Sequence, residues 1–510
     1  MADLPKIKFA PQSSSEDAST LIYFLAEKQQ FGEALKELDG KTGGSLSRAV
    51  EVASFKAKRK SAIEVLAPHG VAAGRVILLG LGAAKSLTER DWVEIGGAAR
   101  GKLSGKPTAV SVVFDETASG VANAALSFAL GFTLRSYSFR KYKSKKKAAS
   151  EAEEGDVNDD SDANPSLTIL TSASDELSAA WSKLGAAAEA IYFARDLVNE
   201  PANVLTPPEF AARLKALEAD GLAVEVMDQE KLKALGMNAL LAVGQGSAQP
   251  TFAVVLRWNG NPDPHAGSDG NTVFIGKGVC FDTGGISIKP APGMEEMKGD
   301  MAGAAAVAGV MKSLAKQNAP VNAVGIVGLV ENMPSGTAFR PGDVITAASG
   351  QTIEVQNTDA EGRMVLADLI WYAQKHLDAK RMVTLATLTG AIIVALGKEN
   401  AGLFSNDDRL AEELTTAGLD TGETVWRLPL SKKYDKMIDS KIADMKNIGG
   451  RDAGSITAAQ FLGRFVNDGI AWAHLDIAGT GMSAPSTDIN HSWGSGFGVR
   501  LLERLLIKPV

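Results

Sequence analysis

Residues 276–300 read GKGVCFDTGGISIKPAPGMEEMKGD and follow directly on the short apolar run Thr272–Gly276. A run of this length and composition predicts a buried strand. The charged residues Lys277 and Asp282 then fall at the carboxyl end of that strand and in the turn beyond it. Open α/β sheets bind their ligands beyond the carboxyl ends of the strands. The stretch therefore predicts an α/β fold with a functional site at this edge of its sheet.

Two helices are predicted to begin next to charged residues. Asp300 opens the stretch Met301–Gln317, whose small residues would let a helix lie very close to the sheet. A second charged cluster, NTDAEGR at 357–363, follows the predicted strand Thr352–Gln356 and precedes the predicted helix Met364–His376. Both clusters thus occupy strand-to-helix turns, where side chains from separate strands can converge.

Both charged clusters also have a purely structural explanation. Asp300 can act as a helix N-cap, and Thr358 with Glu361 has the spacing of a capping box. A cap needs one acceptor, however, whereas four carboxylates are predicted to converge on one sheet edge. These are Asp282, Asp300, Asp359 and Glu361. Carboxylates this close together stay ionised only if cations lie between them, which predicts two divalent metal ions per chain.

Three basic residues border the same cluster. Two dications would depress the pKa of Lys277 enough for its neutral amine to coordinate a metal. Lys289 and Arg363 would remain positive and face the negative charge that develops on a reacting oxygen. Salt bridges to the excess carboxylates are the alternative role for these two residues. Two bridged metals, a fixed cation and a bound water describe metal-assisted hydrolysis.

The rest of the chain repeats the alternation of strands and helices. In the C-terminal part, further strands are predicted at Phe252–Trp258, Ala323–Val330 and Arg381–Thr387. This alternation implies a mostly parallel sheet flanked by helices. Near the N-terminus the predicted elements are the strands Arg75–Gly80 and Thr108–Phe114 and the helix Val121–Leu134. Both parts of the chain are therefore expected to be α/β.

Changes in composition suggest the domain organisation. We expect an N-terminal α/β domain at 1–172, a connecting helix at 173–199 and a catalytic domain at 200–510. A charged insert at 141–165 begins with the basic run KYKSKKK and continues into an acidic stretch almost devoid of apolar residues. A solvated surface loop neutralised by its own acidic half is the favoured interpretation, and a nucleic-acid patch is the alternative.

Composition excludes several classes of protein. Of 510 residues, 45% are hydrophobic and 22% charged, as in ordinary globular proteins, and the net charge of -7 argues against a chain built to neutralise phosphates. The 1 cysteine, Cys280, permits neither an intrachain disulfide nor a thiolate metal cage. The start MADLPKIKFA lacks the apolar core of a secretory signal, and the longest near-apolar stretch, Leu385–Leu396, is too short to span a bilayer. We therefore expect a cytoplasmic location.

The charged clusters resemble a known family. NTDAEGR at 357–363 is the signature of the leucyl aminopeptidases, or cytosol aminopeptidases, which are two-zinc peptidases, and the block at 276–301 matches that family independently. Further similarity runs through Ala194–Pro207 and Trp472–Gly479. The resemblance implies an N-terminal domain similar to macro domains and a C-terminal domain that carries a two-metal site.

The resemblance also implies a set of metal ligands. The tighter ion (Zn²⁺ or Mn²⁺) would be bound by Lys277, Asp282, Asp300 and Glu361. The more exchangeable ion would be bound by Asp282, Asp359 and Glu361. A water between the two ions would be the nucleophile. Lys289 would polarise the scissile carbonyl, and Arg363 would hold a bicarbonate ion that serves as the general base.

The same resemblance implies the substrate and the assembly. The substrate would be a peptide with a free N-terminus, whose α-amine binds a metal and Asp300, and leucine and other apolar N-terminal residues would be preferred. Positions expected near the substrate are Met297, Asn357, Thr387 and Gly390, with Leu388 beside the bicarbonate. The family implies a homohexamer. The segment after Gly481 is only loosely similar to the family, although it borders the expected side-chain pocket.

Two other functions compete with this one. A two-metal phosphoesterase would use the same pair of ions to clamp phosphate, but it would be expected to use histidine ligands, which the cluster lacks. A DNA-binding regulatory role in addition to peptidase activity is the second alternative. The acidic balance argues against it, so nucleic acid is not an expected partner.

Overall fold

The computed structural model describes most of the chain, in two compact units. The described residues are 3–12, 18–28, 30–103, 109–114, 124–144, 164–261 and 271–507. One unit comprises Met1–Glu189 with Ser486–Ser492, and the other comprises Ala190–Pro485 with Trp493–Val510. Most of the predicted charged insert, residues 145–163, lies outside the described residues.

The first unit is built on a six-stranded sheet in the order β1-β6-β5-β2-β4-β3. All neighbouring strands are parallel except β3 and β4. The strands are β1 Ile7–Ala10, β2 Thr20–Ala26, β3 Ala62–Leu66, β4 Arg75–Gly82, β5 Ala109–Val113 and β6 Ser166–Leu170. The helices are α1 Glu33–Lys41, α2 Ser45–Val52, α3 Glu89–Gly101, α4 Ala124–Arg135 and the first part of α5 Ser174–Asn199. The predicted α/β character of the N-terminal part is confirmed.

Close packing of α3 against α4 forms much of the core of this unit. A Cβ atom at Gly96 would collide with the carbonyl of Phe128, and one at Gly131 would collide with the carbonyl of Val93. Only glycine lets the two helix backbones approach this closely. α3 begins with a capping box in which the side chain of Thr88 and that of Asp91 each accept the other's backbone N–H.

The second unit contains an eight-stranded sheet in the order β15-β14-β17-β13-β9-β10-β8-β7 and a three-stranded sheet in the order β11-β12-β16. The large sheet consists of β7 Ala223–Met227, β8 Phe252–Asn259, β9 Asn271–Asp282, β10 Asn322–Asn332, β13 Ala379–Ala386, β14 Ala401–Ser405, β15 Val425–Arg427 and β17 Ala471–Asp476. The small sheet consists of β11 Val344–Thr346, β12 Thr352–Glu354 and β16 Met445–Lys446. The central strands β17, β13, β9 and β10 are parallel, so their carboxyl ends meet at one edge, whereas β8, β7 and β14 pair antiparallel.

Helices cover this sheet. They are α6 Pro207–Lys215, α7 Gln229–Ala234, α8 Asn238–Gly244, α9 Ala302–Lys316, α10 Gly362–His376, α11 Gly390–Leu396, α12 Asp408–Thr421, α13 Lys432–Asp435, α14 Gly454–Gly463 and α15 Val499–Leu506. The small residues of α9 bring it close to β9, as predicted. A Cβ at Gly276 would lie 2.7 Å from the Cα of Ala304, and one at Gly303 would collide with the carbonyl of Leu385. Within the described part of the chain, no helix is long and apolar enough to cross a membrane.

Two details differ from the sequence prediction. β9 does not end at Gly276 but continues to Asp282, because β10 stays paired with it after pairing with β13 has stopped. Lys277 therefore lies within the strand. The strand before the second charged cluster, β12, belongs to the small sheet, so the carboxylates do not all come from one sheet edge. Pairing with strands far away in sequence, such as β16, places β12 in the small sheet, and no local sequence pattern predicts such pairing.

Candidate active site

One cleft of the second unit, about 500 Å³ in volume, is lined by every residue that the sequence analysis placed at a site. The predicted metal ligands in its wall are Lys277, Asp282, Asp300, Asp359 and Glu361. The two predicted cationic residues are Lys289 and Arg363, and the predicted substrate neighbours are Met297, Asn357, Thr387, Leu388 and Gly390. Residues up to 113 positions apart in the chain are thus brought together (277 to 390).

Asp282 is held in place by the turn that follows β9. Its Oδ1 accepts the backbone N–H of Gly284 at 2.9 Å and the side-chain amide of Asn332 at 2.8 Å. Gly284 and Gly285 have φ values of 86° and 67°, a region that strongly favours glycine. A Cβ on Gly284 would also lie 2.9 Å from a carboxylate oxygen of Asp359. The two glycines therefore allow the turn to pass directly beneath the carboxylates.

Lys277 lies at the centre of the cluster and is almost fully buried. Its Nζ is 2.8 Å from Asp300 and 2.7 Å from Glu361, and it donates to the carbonyl of Thr387 at 3.1 Å. A Cβ at Gly362 would lie 2.7 Å from the Cε of Lys277, so the glycine of NTDAEGR makes room for this side chain. The hydroxyl of Thr387 donates to Asp300 at 2.6 Å.

The carboxylates are crowded enough to disturb one another's ionisation. Asp282, Asp359 and Glu361 each place an oxygen within 4.8 Å of the others. Burial, together with repulsion from Asp282, raises the pKa of Glu361 to about 8 despite the attraction of Lys277. Burial likewise raises the pKa of Asp300 to about 6, although Lys277 opposes the shift. Without further cations, the cluster therefore relieves its repulsion by protonation, and Glu361 favours its protonated form at neutral pH.

This donor set fits divalent metal ions. Carboxylate oxygens that share one small volume are the ligands that hard dications prefer, and such ions remove the repulsion among the carboxylates. Burial by itself would lower the pKa of Lys277, but Asp300 and Glu361 outweigh it and hold the pKa above its usual value. Dications beside the amine would oppose that effect, since neighbouring positive charge favours the neutral form that can coordinate.

The two further cations have different surroundings. Lys289 lies 2.9 Å from Asp282 and 2.5 Å from Asp359, which is the salt-bridge arrangement that the sequence left open. Burial tends to lower its pKa, but Asp282 and the other carboxylates raise it above the usual value, so the ammonium stays charged.

Arg363 has a buried donor without a hydrogen-bond partner among the described residues. Its Nη1 donates to the carbonyl of Asn447 at 2.7 Å, but its buried Nε has no acceptor among the described residues. Burial lowers the pKa of its guanidinium to about 10, which leaves it charged at neutral pH. A charged N–H group that lacks an acceptor is suited to an anion such as bicarbonate.

Sequence reasoning missed two asparagines that hold the charged clusters together. Asn332 ends β10 and donates to both Asp282 and the carbonyl of Thr358, at 2.8 and 3.0 Å. Asn447 clamps the start of NTDAEGR, because its amide both accepts from and donates to the backbone of Asn357. A polar residue at the end of an apolar strand is a signal that could have revealed Asn332, whereas Asn447 follows a two-residue strand and has no such signal.

Together, the α/β fold and a cleft in which carboxylates surround the buried Lys277 and the half-buried Lys289 indicate a metal-dependent hydrolase. Comparisons with known proteins make the class more specific. The profile of the "Cytosol aminopeptidase family, catalytic domain" matches residues 192–503, and that of the family's N-terminal domain matches residues 21–146. The chain belongs to the cytosol aminopeptidase family.

Individual relatives agree with the family assignment. A protein of Nitrobacter winogradskyi named "Probable cytosol aminopeptidase" is 51% identical over 99% of this chain and 98% of its own length. One of the same name from Sinorhizobium medicae is 54% identical over 98% of both chains. A mutant of tomato leucine aminopeptidase is 31% identical, with a TM-score of 0.85 over 100% of this chain and 98% of that chain.

A second solved structure bears on the metal. It is titled as the bottromycin maturation enzyme BotP in complex with Mn, and it is 33% identical, with a TM-score of 0.81 over 96% of this chain and 99% of that chain. The chain is accordingly a metal-dependent aminopeptidase, and the predicted family and activity are confirmed. A two-metal phosphoesterase is not favoured.

Proposed function

We propose that the chain releases N-terminal amino acids from peptides, with leucine and other apolar residues preferred, by means of two divalent ions in the cleft. The observation that carries this proposal is the convergence of all the predicted residues on one cleft. Apolar side chains also line it, among them Met294, Met297, Ile393 and Met482, and they suit an apolar side chain of a substrate.

The proposed ligands divide into two overlapping sets. Lys277, Asp282, Asp300 and Glu361 would hold the tighter ion. Asp282, Asp359 and Glu361, which the structure already groups, would hold the exchangeable one. Ions such as Zn²⁺ or Mn²⁺ bound there would polarise the scissile carbonyl and lower the pKa of a bound water. Asn332 and Thr387 would orient these ligands through their hydrogen bonds to Asp282 and Asp300.

The chain's own residues would orient the substrate. The α-amine of the peptide would donate to Asp300 at the buried end of the cleft, so only the first peptide bond would reach the reacting position. Met297, Asn357, Thr387 and Gly390 would contact the substrate. The positive Nζ of Lys289 would turn from its present carboxylate partners towards the carbonyl oxygen, where negative charge develops during hydrolysis.

Arg363 would supply the anion site. Its guanidinium, whose Nε lacks a partner, would hold, together with the neighbouring Leu388, a bicarbonate ion that supplies the general base. An anion at this position would explain why the cleft needs no histidine: none of its lining residues is one. We further propose a cytoplasmic homohexamer, on the basis of the family alone.

Hydrolysis of a panel of aminoacyl amides tests the proposal. Leucine amide should be cleaved faster than the amides of charged amino acids, and N-acetyl-leucine amide should not be cleaved, because it lacks the free amine. A strong chelator should abolish the activity, and Zn²⁺, Mn²⁺ or Co²⁺ added to the chelated protein should restore it. Full activity in protein that metal analysis shows to be free of metal would refute the proposal.

A further inference from the structure

Asp476 is a buried carboxylate that lies beside the cleft but does not line it. It ends β17 and is 1% exposed. Its Oδ1 accepts the backbone N–H of Leu388 at 3.0 Å and that of Ala478 at 3.3 Å, and its Oδ2 accepts the hydroxyl of Thr389 at 2.7 Å. One carboxylate therefore fastens the end of β17 to the loop that follows β13.

That loop carries several contacts of the cleft. Thr387, one residue before the fastened segment, gives its carbonyl to Lys277 and its hydroxyl to Asp300. Thr389 also caps α11, since its hydroxyl accepts the N–H of Ile392 at 3.2 Å. The backbone at 387–389 is thus held by Asp476 on one side and holds two proposed metal ligands on the other.

Asp476 also acts on the anion site through its charge. It favours the charged form of the Arg363 guanidinium and so opposes the effect of burial on that residue. A carboxylate kept in a fully buried place is costly unless donors compensate it. Here the donors all belong to the loop or to the segment just beyond β17. The buried carboxylate of Asp476 is therefore compensated only while this loop keeps its geometry.

We propose that Asp476 is a positioning residue of the peptidase reaction, which fixes the loop 387–389 and through it the orientation of Lys277 and Asp300. The proposal rests on the proposed function, because it treats those two residues as metal ligands. Partners that orient metal ligands without touching the ion typically change metal affinity or activity by ~10–100-fold when removed. A residue that merely stabilises the fold would change neither in protein that stays folded.

The test measures Mn²⁺ binding to chelator-stripped protein by calorimetry, with kcat and KM for leucine amide measured alongside. Asp476→Ala should weaken Mn²⁺ binding by ~10-fold or more and lower kcat more than it raises KM. Asp476→Asn keeps an oxygen for the backbone N–H groups, so its Mn²⁺ affinity should return to within ~3-fold of that of the unaltered protein.

Asp368→Asn is the matched control. Asp368 is also fully buried and accepts two backbone N–H groups, those of Leu240 and Ala348, but it lies on α10 away from the loop. This variant should bind Mn²⁺ like the unaltered protein. If Asp476→Ala does not fold, Thr389→Val provides a milder test. It removes the bond to Oδ2, together with the cap on the N–H of Ile392, and should weaken Mn²⁺ binding by ~3-fold.

The outcomes separate the two proposals. If the unaltered protein binds no Mn²⁺ and its activity survives chelation, the proposed function fails. If it binds Mn²⁺ but Asp476→Ala or Thr389→Val binds equally well, only the positioning role fails. Equal losses in the Asp476 variants and in Asp368→Asn would also overturn the positioning role, because they would point to a general loss of stability.

Discussion

Both units are built on a sheet flanked by helices, and they differ in what their buried strands carry. In the first unit, β4 ends in leucine and glycine and is buried along almost its whole length. In the second unit, β9 is buried to the same degree, but it carries Lys277 and Asp282, which are 2% and 1% exposed. Close helix packing does not distinguish the units, because glycines permit it at α3 and α4 as well as at α9 and β9.

The difference lies in the burial of charge. A buried charge is tolerated only when partners compensate it, so a cluster of buried carboxylates and lysines marks a place where the chain gives up stability. The fold class is therefore shared by both units, whereas the site belongs to the strand-to-helix turns of one of them. If this contrast is right, the same substitution should have very different effects in the two units.

The largest effect is expected at Asp282, which touches both proposed metal sites. Asp282→Asn should lose both ions and more than about 100-fold of the activity, since even indirect partners of metals change affinity by 10–100-fold. Asp359→Asn should weaken mainly the exchangeable ion. Metal content measured by mass spectrometry after gel filtration, together with leucine amide hydrolysis, checks both expectations.

The matched substitution in the first unit is Asp91→Asn. Asp91 closes the capping box of α3, and its loss should leave metal content and hydrolysis unchanged. Retention of two ions by Asp282→Asn, or a loss of ions from Asp91→Asn, would break the contrast between the units.

The next effect concerns the two cations of the cleft. Lys289→Ala should lower kcat by ~100-fold or more, the scale expected for the loss of one group that stabilises an oxyanion. Arg363→Ala should cost less, and added bicarbonate should restore part of its activity if that ion is the base. Steady-state kinetics at several bicarbonate concentrations measure both variants.

Lys289→Arg is a useful comparison, because it keeps the charge but changes the geometry of the donors. It should retain more activity than Lys289→Ala. An unchanged kcat in Lys289→Ala would assign Lys289 to the salt bridges with Asp282 and Asp359 alone.

The local sequence pointed to residues that line one cleft because most of them lie in two short charged segments. Charged residues stand out against the apolar β9, and small residues reveal the close approach of α9. The full length of β9 and the separate sheet of β12 were not predicted, since both depend on pairing with strands far away in sequence. Asn447 and Asp476 escaped for the same reason, because hydrogen bonds to distant backbone give them their roles.

A smaller effect should appear at a buried carboxylate that no metal compensates. Burial raises the pKa of Asp368 to about 7, although N–H groups of Ala348 and Leu240 oppose the shift. Between about pH 4 and pH 7 the folded protein would then keep a proton that the unfolded chain has lost, so this group's contribution to stability falls as the pH rises. The Asp368→Asn variant has no titratable carboxyl group at this position, so its stability should lack this pH dependence.

Urea unfolding of the metal-loaded protein at pH 5 to 8 measures this effect. Relative to Asp368→Asn, the unaltered protein should lose up to ~1.4 kcal/mol of unfolding free energy per pH unit between pH 5 and about pH 7, and little more above that pH. Asparagine adds its own cost by turning an amide group towards a backbone N–H, but that cost does not change with pH. If the unfolding free energies of the two proteins changed with pH in parallel, the raised pKa of Asp368 would be contradicted.

The smallest effect is expected from the charged insert of the first unit. Replacing 141–164 with a short Gly-Ser linker should leave both folding and peptide hydrolysis unchanged. The segment has almost no apolar side chains to bury, and residues 141–144 are exposed. Changing the length of a connection between two folded segments changes its closure entropy only slightly.

This deletion is also the sharpest test of where function resides. The insert would be a functional interface of the first unit if its basic stretch bound nucleic acid or its acidic stretch contacted a neighbouring subunit. Light scattering and leucine amide hydrolysis, each measured on the deleted and the complete chain, separate these cases. A change in oligomeric mass or a loss of metal-dependent activity would show that the first unit contributes to the reaction, and the assignment of function to the second unit alone would then be wrong.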